Sequence, residues 1–293
     1  MTARARTTVG FVGLGQMGKP MALNLIHDDI DLLVTAKTPE AYGDLRARGA
    51  RIADTLADFR HADIVVLSLP GTDAVRGVLQ GEGGLASILK PGAVVIDTST
   101  IEHGATLQLH DDLADRGIGF LDAPVSGMQA RAEAGTLTIM CGGDPGLFET
   151  VKPLLQRMGN DVLHMGTAGA GQLAKLVNQL LFDVNCAALA EILPMACRMG
   201  LDPEKAAHVI NSGTGRSYAS EFFLPRILLG HFTDGYPLQA AYKDLVSAAE
   251  LGARHCIPMP VLAAATATYQ ATLLRGHGAV SYTHLRAHET RGN

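Results

Sequence analysis

The sequence of 293 residues lacks an excess of positive charge and has no long apolar run. Its 24 Lys and Arg residues are outnumbered by 29 Asp and Glu residues, whereas a general nucleic-acid-binding protein needs clustered positive charge. Apolar runs such as residues 64–69 are far shorter than the ~20 residues of a membrane span. These absences argue against general nucleic-acid binding and against a segment that crosses a membrane.

Cysteines and N-terminal targeting signals are also scarce. The four cysteines, Cys141, Cys186, Cys197 and Cys256, are widely separated and form no C-x-x-C pair, so we interpret them as reduced, mostly buried apolar residues. The chain leads from Met1 into a short apolar strand, without the longer apolar stretch and cleavage site of a signal peptide. The expected location is therefore the cytoplasm.

Short apolar runs alternate with helix-length segments from Thr8 to about Gly143. Because most of these runs are continuously apolar, they are typical of strands in a parallel sheet that is covered on both faces. The predicted strands are residues 8–12, 31–35, 63–68, 93–97, 119–122 and 136–140. This order of elements predicts a doubly wound α/β domain.

Helical patterns replace the strands after Gly166. Apolar residues at three- and four-residue steps predict a long helix over about residues 172–199, roughly 40 Å in length, which Pro194 should kink or end. Such a helix could bridge two domains or two subunits. Further helices are predicted at residues 203–210, 221–229, 244–254 and 261–274. We therefore expect an α/β domain over residues 1–168 and an all-α domain over residues 169–280, joined by the long helix.

Residues 281–293 continue neither pattern. They resemble the translated read-through of a sequencing adapter, so we expect a non-native tail and leave it out of the fold prediction. His284 and His288 within this tail have the spacing of a helical metal-binding pair, but we predict no metal site there.

A glycine-rich loop follows the first predicted strand and opens a helix. Its sequence is Gly13-Leu14-Gly15-Gln16-Met17-Gly18. Gly13 allows a tight turn, Gly15 lets a pyrophosphate approach the backbone, and Gly18 lets the helix pack closely. The motif predicts that all six residues bind a dinucleotide, and it makes the expected sheet a Rossmann-type doubly wound parallel sheet.

The end of the second predicted strand bears on which dinucleotide binds. An NAD site normally has Asp or Glu here for the ribose 2′-hydroxyl, but this strand ends Val34-Thr35-Ala36-Lys37-Thr38 without a carboxylate. Lys37 either neutralises a 2′-phosphate, with a hydrogen bond from Thr35 or Thr38, or is a solvated loop charge. We expect NAD or NADP, and the pattern favours NADP.

Four further segments follow in order along the chain. They are Asp97-Thr-Ser-Thr100, Asp122-Ala-Pro-Val-Ser-Gly127, Gly169-Ala-Gly-Gln-Leu-Ala-Lys175-Leu-Val-Asn178-Gln179 and Tyr242-Lys243-Asp244-Leu245. With the glycine-rich loop and Ser68-Leu69-Pro70, they make residues 8–278 resemble the β-hydroxyacid dehydrogenase family, which includes 3-hydroxyisobutyrate dehydrogenases and tartronate semialdehyde reductases.

The resemblance implies that Lys175 is the general acid and base of the reaction. Asn178 is expected to act with it, and Gln179 is expected to contact the substrate, because residues three and four positions along a helix can share a face with the lysine. Many family members have Asn at both positions, so Gln179 departs from the commonest form but keeps an amide.

The resemblance also implies that Ser126 and Gly127 bind the substrate carboxylate through a hydroxyl and backbone N–H groups. Here Met128 and Arg131 stand where glycine is common in the family. A larger side chain at the pocket rim changes its shape, so these two residues leave the substrate open. Arg131 either adds a second carboxylate contact or forms a surface ion pair.

The remaining implied contacts are to the cofactor. Thr100 would lie near the nicotinamide end, unless its hydroxyl instead caps the next helix. Leu69 and Pro70 would shape the loop over the adenosine side. Lys243 matches the cofactor-contacting lysine of the family, with Asp244 either orienting it or capping its helix.

The resemblance as a whole implies an NAD(P)-dependent oxidoreductase that moves hydride between nicotinamide and a short β-hydroxy acid or its semialdehyde. It also implies a homodimer or homotetramer formed through the helical domain. One alternative is an imine reductase-like enzyme, although those relatives usually lack Lys175. The other is an inactive NADPH-binding regulatory or scaffold protein, which the retained Ser126, Gly127, Lys175 and Asn178 make a poor fit.

Overall fold

The computed structural model describes residues 6–231 and 237–276, and its contacts divide the chain into two compact units. The first unit, Met1–Lys175, contains a sheet with helices, and the second, Leu176–Asn293, is helical where it is described. The boundary near residue 168 stays a prediction, since the long helix itself crosses the division. The tail at 281–293, with His284 and His288, lies outside the described residues.

Nine strands form one sheet in the described part of the first unit. They are β1 (Thr7–Val12), β2 (Ile30–Thr35), β3 (Arg51–Ile52), β4 (Ile64–Leu67), β5 (Val94–Asp97), β6 (Gly119–Asp122), β7 (Val125–Ser126), β8 (Leu137–Gly142) and β9 (Gly159–Gly166). Their order is β3-β2-β1-β4-β5-β6-β8-β7, with β9 also beside β8. Strands β1 to β6 pair in parallel, so their carboxyl ends meet at one edge of the sheet.

The sheet confirms the Rossmann-type fold and adds strands that the sequence did not predict. All six predicted strands are present, but β3, β7 and β9 were missed. Two of these are only two residues long, and β9 is largely exposed, so it lacks the continuous apolar pattern. A purely parallel arrangement was wrong for β8, which runs antiparallel to β6 and β7.

Helices cover both faces of this sheet. They are α1 (Gly18–Asn24), α2 (Gly43–Ala47), α3 (Thr72–Gln80), α4 (Leu85–Ile88), α5 (His103–Ala114), α6 (Met128–Glu133) and α7 (Pro145–Leu155). In β4, Val66 packs into one apolar core, whereas Val65 and Leu67 pack into another. Successive strand residues point to opposite faces, so the continuously apolar strands are explained by burial on both sides.

The described part of the second unit consists of packed helices. The long helix α8 (Ala170–Arg198) begins in the first unit and is followed by α9 (Pro203–Ser212), α10 (Tyr218–Leu228), α11 (Leu238–Arg254) and α12 (Pro260–Leu273). Phe223, Leu245 and Tyr269 are among the buried side chains of its core. Pro194 was expected either to kink helix α8 or to end it. The helix continues through Pro194, so the second of these outcomes does not occur.

Helix α8 keeps an apolar face exposed. The exposed side chains include Val177, Leu181, Ile192 and Met195. By length and composition alone this helix could cross a membrane, a test that core helices of soluble proteins also pass. The sequence prediction considered only uninterrupted apolar runs, so it overlooked this property.

The four cysteines are free, as expected, but not all are buried. Cys141 and Cys186 are buried, Cys197 is half-buried and Cys256 is exposed. Burial, helped by the nearby charge of Asp122, raises the pKa of the Cys141 thiol to about 12. Cys256, which lies in a turn after α11, is the exposed exception to the expectation that the cysteines are mostly buried.

Candidate active site

The glycine-rich loop has the geometry that a dinucleotide phosphate needs. Gly13 has a φ of +97°, and a Cβ there would overlap the carbonyl oxygen of Ser68. A Cβ at Gly18 would overlap the carbonyl oxygen of Gly13, so only glycine at position 18 lets the start of α1 pack this closely against the loop. By contrast, a Cβ at Gly15 would meet nothing within 4 Å. This open space beside a bare backbone fits the pyrophosphate of NAD or NADP.

The other three residues of the loop have different surroundings. Leu14 is buried, and Met17 packs partly buried against the same core. Gln16 is exposed, and its Nε2 donates a hydrogen bond to Oε1 of Gln129 at 2.9 Å. Gln129 lies in α6, so this bond connects the glycine-rich loop to the helix that follows the predicted substrate-binding residues.

The end of β2 presents a lysine and no carboxylate. The Tyr42 hydroxyl accepts from the N–H of Ala36 and donates to its carbonyl oxygen, both at 2.9 Å, which fixes the chain just before Lys37. Lys37 itself is exposed and forms no ion pair with any described residue. Its ammonium group is therefore available to an anion near the end of β2.

Leu69 and Pro70 follow β4 beside the glycine-rich loop. A Cβ at Gly13 would lie 3.0 Å from Cδ2 of Leu69, so the two loops are in close contact. The N–H of Leu69 donates to Oγ of Ser99 at 2.9 Å. Pro70 is exposed. The predicted cofactor residues of β1 and β4 therefore lie together at the carboxyl edge of the sheet.

The segment after β5 is held by buried polar groups. Oδ1 of Asp97 accepts the N–H of Ser99 at 3.0 Å. Burial raises the pKa of Asp97 to about 7, although hydrogen bonds with Ser99 oppose this rise. The charge of Asp122 raises the pKa further. Thr100 is exposed, and Glu102 occupies the N-cap of α5, so Thr100 does not cap that helix.

Asp122, at the end of β6, anchors the first turn of α8 to the sheet through hydrogen bonds. Its Oδ1 accepts the N–H of Gly169 and its Oδ2 accepts the N–H of Gln172, each at 2.8 Å. A Cβ at Gly171 would overlap the carbonyl oxygen of Met140, so this approach requires glycine. Burial raises the pKa of Asp122, and the backbone N–H donors oppose that rise. Lys175, which is half-buried, follows on this anchored turn.

The predicted carboxylate-binding residues lie where β7 ends and α6 begins, with Ser126 as the last residue of β7 and Gly127 as the N-cap of α6. Gly127 has a φ of +139°, and Met128 has a φ of 61°, a left-handed conformation that non-glycine residues rarely adopt. The stem of Arg131 lies against Gly127, since a Cβ there would be 2.9 Å from both Cβ and Cδ of Arg131. Nη2 of Arg131 lies 3.5 Å from Oδ1 of Asn160, and among the described residues Arg131 forms no ion pair.

The second unit carries the remaining predicted residues. Asn178 is exposed on α8, and Nε2 of Gln179 donates to Oδ1 of the buried Asp183 at 3.2 Å. Lys243 is exposed on α11. Because α11 begins at Leu238, not at residue 244, Asp244 lies inside the helix and does not cap it.

Two family profiles and several relatives match almost the whole chain. Residues 8–166 match the NAD binding domain of 6-phosphogluconate dehydrogenase, and residues 169–285 match the NAD-binding domain of NADP-dependent 3-hydroxyisobutyrate dehydrogenase. The chain is 38% identical over 272 residues to 2-(hydroxymethyl)glutarate dehydrogenase of Eubacterium barkeri, covering 92% of this chain and 90% of that protein. It is 34% identical to NAD-dependent L-serine dehydrogenase of Pseudomonas aeruginosa, covering 92% and 93%.

The chain belongs to the β-hydroxyacid dehydrogenase family. The crystal structure of 3-hydroxyisobutyrate dehydrogenase from Salmonella typhimurium superposes with a TM-score of 0.88 at 28% identity, covering 96% of this chain and 99% of that one. This β-hydroxyacid dehydrogenase is therefore an oxidoreductase that uses NAD or NADP and acts on the CH–OH group of small hydroxy acids.

Four buried polar residues of this β-hydroxyacid dehydrogenase lie within the quoted sequence segments, but no role was predicted for them from the sequence. They are Asp97, Ser99, Asp122 and Gln172. Two of them carried a usable signal, because Asp97 and Asp122 each end a strand that is otherwise apolar. A carboxylate at that position must lie at the carboxyl edge of a parallel sheet, where ligands of such folds bind. Ser99 and Gln172 carried no comparable signal.

Proposed function

We propose that this enzyme interconverts a short β-hydroxy acid and its semialdehyde, with Lys175 as general acid and base. The observation that carries the proposal is the anchoring of the first turn of α8 by Asp122 at the carboxyl edge of the sheet. Lys175 follows Gln172 by three residues, so it lies one helical turn beyond that anchor. A proton-transfer group needs such a fixed position relative to the reacting oxygen.

When bound, the nicotinamide cofactor would supply the hydride acceptor for oxidation of the alcohol and the hydride donor for reduction of the aldehyde. The Lys175 amine removes the hydroxyl proton during oxidation, and its ammonium form returns a proton to the carbonyl oxygen during reduction. Asn178 and Gln179 follow on the same helix, where we assign them to orienting the lysine and to holding the substrate. The hydrogen bond from Gln179 to Asp183 supports this by restricting the Gln179 amide.

We further propose that Ser126 and Gly127 bind the substrate carboxylate. The relatives named above act on 3-hydroxyisobutyrate, L-serine and 2-(hydroxymethyl)glutarate. All three compounds carry a hydroxymethyl group and a carboxylate on one carbon, and they differ in the third substituent of that carbon. A hydroxyl and exposed backbone N–H groups suit the common carboxylate. The substrate class proposed here is therefore the 2-substituted 3-hydroxypropanoates.

The test of this function is the variant Lys175→Ala, assayed with 2-substituted 3-hydroxypropanoates and both cofactors. We expect turnover to fall by about 10²–10⁴-fold while cofactor affinity stays nearly unchanged. Lys205→Ala is a matched control, because Lys205 is an exposed lysine on another helix. Turnover by Lys175→Ala at the parent rate would contradict the proposal.

We also propose that Lys37 gives the enzyme a preference for NADP. Three features support this: the absence of a carboxylate at the end of β2, the exposure of Lys37, and the lack of a described ion-pair partner for its ammonium group. A 2′-phosphate carries negative charge that such a lysine would stabilise.

For the assembly, we propose a cytoplasmic homodimer or homotetramer in which a second copy covers the exposed apolar face of α8, with no membrane or nucleic-acid partner. Four large apolar side chains of α8, Val177, Leu181, Ile192 and Met195, are each half exposed or more and support this proposal. A contiguous apolar surface of that kind is typical of interaction sites. The net charge of -5 makes nucleic acid a poor partner.

A further inference from the structure

Gln172 is a buried side chain that the proposed reaction leaves without a role. It is 3% exposed, and its Nε2 donates to the carbonyl oxygen of Ser99 at 2.7 Å. Its Oε1 accepts the N–H of Ile101 at 3.2 Å. One amide therefore holds the backbone on both sides of Thr100.

The backbone of Gln172 is fixed from a different direction. Its N–H donates to Asp122, beside the N–H of Gly169, and Gly171 packs on the carbonyl oxygen of Met140. The first turn of α8 therefore cannot shift without breaking buried hydrogen bonds, each of which leaves an unsatisfied polar group. The side chain of Gln172 extends this rigid turn to the segment that follows β5.

The segment that Gln172 holds is also connected to the cofactor side. Oγ of Ser99 accepts the N–H of Leu69, which contacts the glycine-rich loop. Thr100 is exposed between the two backbone groups that Gln172 binds. Leu69 and Thr100 are predicted cofactor contacts, and Lys175 lies one turn beyond Gln172. A single amide thus lies between the predicted cofactor segment and the predicted proton-transfer group.

We propose that Gln172 is a positioning residue whose two hydrogen bonds fix the Thr100 segment relative to Lys175. Cofactor binding and proton transfer then depend on the same side chain. This inference rests on the proposed role of Lys175. A displacement of about 1 Å between reacting groups can lower a rate by about a hundredfold, so losing this connection should affect turnover more than folding.

The first experiment compares Gln172→Met, which keeps the length of the side chain and removes both hydrogen bonds, with Val151→Ala. The control shortens a buried side chain of α7, in the core of the same unit, so it lowers stability without touching this segment. At a temperature where both variants are folded, we expect kcat of Gln172→Met to fall about tenfold to a hundredfold and its NADPH dissociation constant to rise several-fold. Val151→Ala should keep both values. A kcat of Gln172→Met within twofold of the parent would overturn the inference.

The second experiment asks whether Gln172 acts through the lysine. Gln172→Met is combined with Lys175→Ala, and the residual turnover and NADPH affinity are measured. If Gln172 positions Lys175, the added substitution should hardly lower the residual turnover, but it should still weaken NADPH binding. An equal fold-loss of turnover in both backgrounds would overturn the inference. If Lys175→Ala alone keeps full turnover, the proposed role of Lys175 fails instead.

A third variant covers the possibility that Gln172→Met does not fold. In Gln172→Glu, the protonated carboxyl can donate to Ser99 and accept from Ile101, whereas the ionised form places a negative oxygen against the Ser99 carbonyl. We therefore expect turnover relative to the parent to recover as the pH is lowered. A ratio that does not change with pH would contradict the positioning role.

Discussion

Asp97 and Asp122 are register partners at the carboxyl ends of β5 and β6, and both are fully buried. Burial is the main reason that the pKa of Asp97 rises to about 7, and the charge of Asp122 raises it further. Asp122 differs because backbone N–H groups of Gly169, Gln172 and Gly171 stabilise its charge against the effect of burial. The edge of the sheet therefore contains two adjacent acids with unequal hydrogen bonding.

This difference predicts how stability depends on pH. Because folding raises the pKa of Asp97, the folded state holds its proton more tightly than the unfolded state. Its cost to folding is absent below the unfolded pKa of ~4, grows as the pH rises, and is complete above the folded value of about 7. The stability advantage of Asp97→Asn over the parent should therefore increase from pH 5 to pH 8, by on the order of 1–3 kcal/mol.

Urea unfolding of the parent and Asp97→Asn across this pH range checks the prediction. Asp111→Asn, at an exposed position on α5, is the control and should show no comparable trend. A constant stability difference between Asp97→Asn and the parent would show that Asp97 does not titrate in this range.

Gly13 and Gly15 should respond oppositely to alanine. Gly15→Ala should leave the free energy of unfolding nearly unchanged, because its Cβ meets nothing within 4 Å, but it should weaken cofactor binding about tenfold or more by occupying the place of a phosphate. Gly13→Ala should destabilise the protein by at least about 2 kcal/mol, since φ is +97° and the Cβ overlaps a carbonyl oxygen. Thermal unfolding and NADPH titration of both variants check this contrast.

The sequence predicts the sheet well where local pattern and burial agree. The apolar segments of β4 and β5 are buried on both faces, so their composition alone indicated parallel strands. β9 pairs with β8 although it is largely exposed, because its position is decided by the partner strand and not by its own pattern. The start of α11 was placed six residues late, because Leu238 is buried by tertiary packing that no local motif records.

The candidate site is predictable in its motifs but not in its connections. The glycine-rich loop and the segment around Lys175 were recognisable, since each needs particular residues at fixed spacing. The Gln172 side chain donates a hydrogen bond to Ser99 and accepts one from Ile101, and both bonds join positions more than 70 residues apart in the chain. Such pairs depend on the three-dimensional arrangement of β5 and α8, which a single sequence does not specify.

Lys37→Ala should reduce the preference for NADP over NAD. Removing the ammonium group should lower kcat/KM with NADP about tenfold or more and change it little with NAD, because only NADP carries the 2′-phosphate. Steady-state kinetics with both cofactors give the ratio, and Lys205→Ala is again the control for a lost surface charge. An unchanged ratio would mean that Lys37 is a solvated loop charge.

A charge on the exposed face of α8 should disrupt the proposed assembly. Leu181 is 64% exposed, and Leu181→Glu would place a carboxylate in an apolar contact between copies, which is costly to desolvate. We expect light scattering after size exclusion to show a dimer or tetramer for the parent and a smaller species for the variant. Val209→Glu, at a 67% exposed position on α9, should not change the mass. A monomeric parent that floats with lipid vesicles would favour a membrane partner instead.

Met128 offers a test of backbone strain next to the predicted carboxylate-binding segment. Its φ of 61° costs a residue with a Cβ roughly 1 kcal/mol, whereas glycine adopts that conformation freely. Met128→Gly and Met128→Ala both remove the side-chain contacts, so the difference between them isolates the backbone effect. Within most helices and strands glycine is less stable than alanine, but here Met128→Gly should be more stable than Met128→Ala by about 1 kcal/mol. Chemical unfolding of the two variants measures this difference. If Met128→Ala is instead the more stable of the two, position 128 relaxes out of the left-handed region.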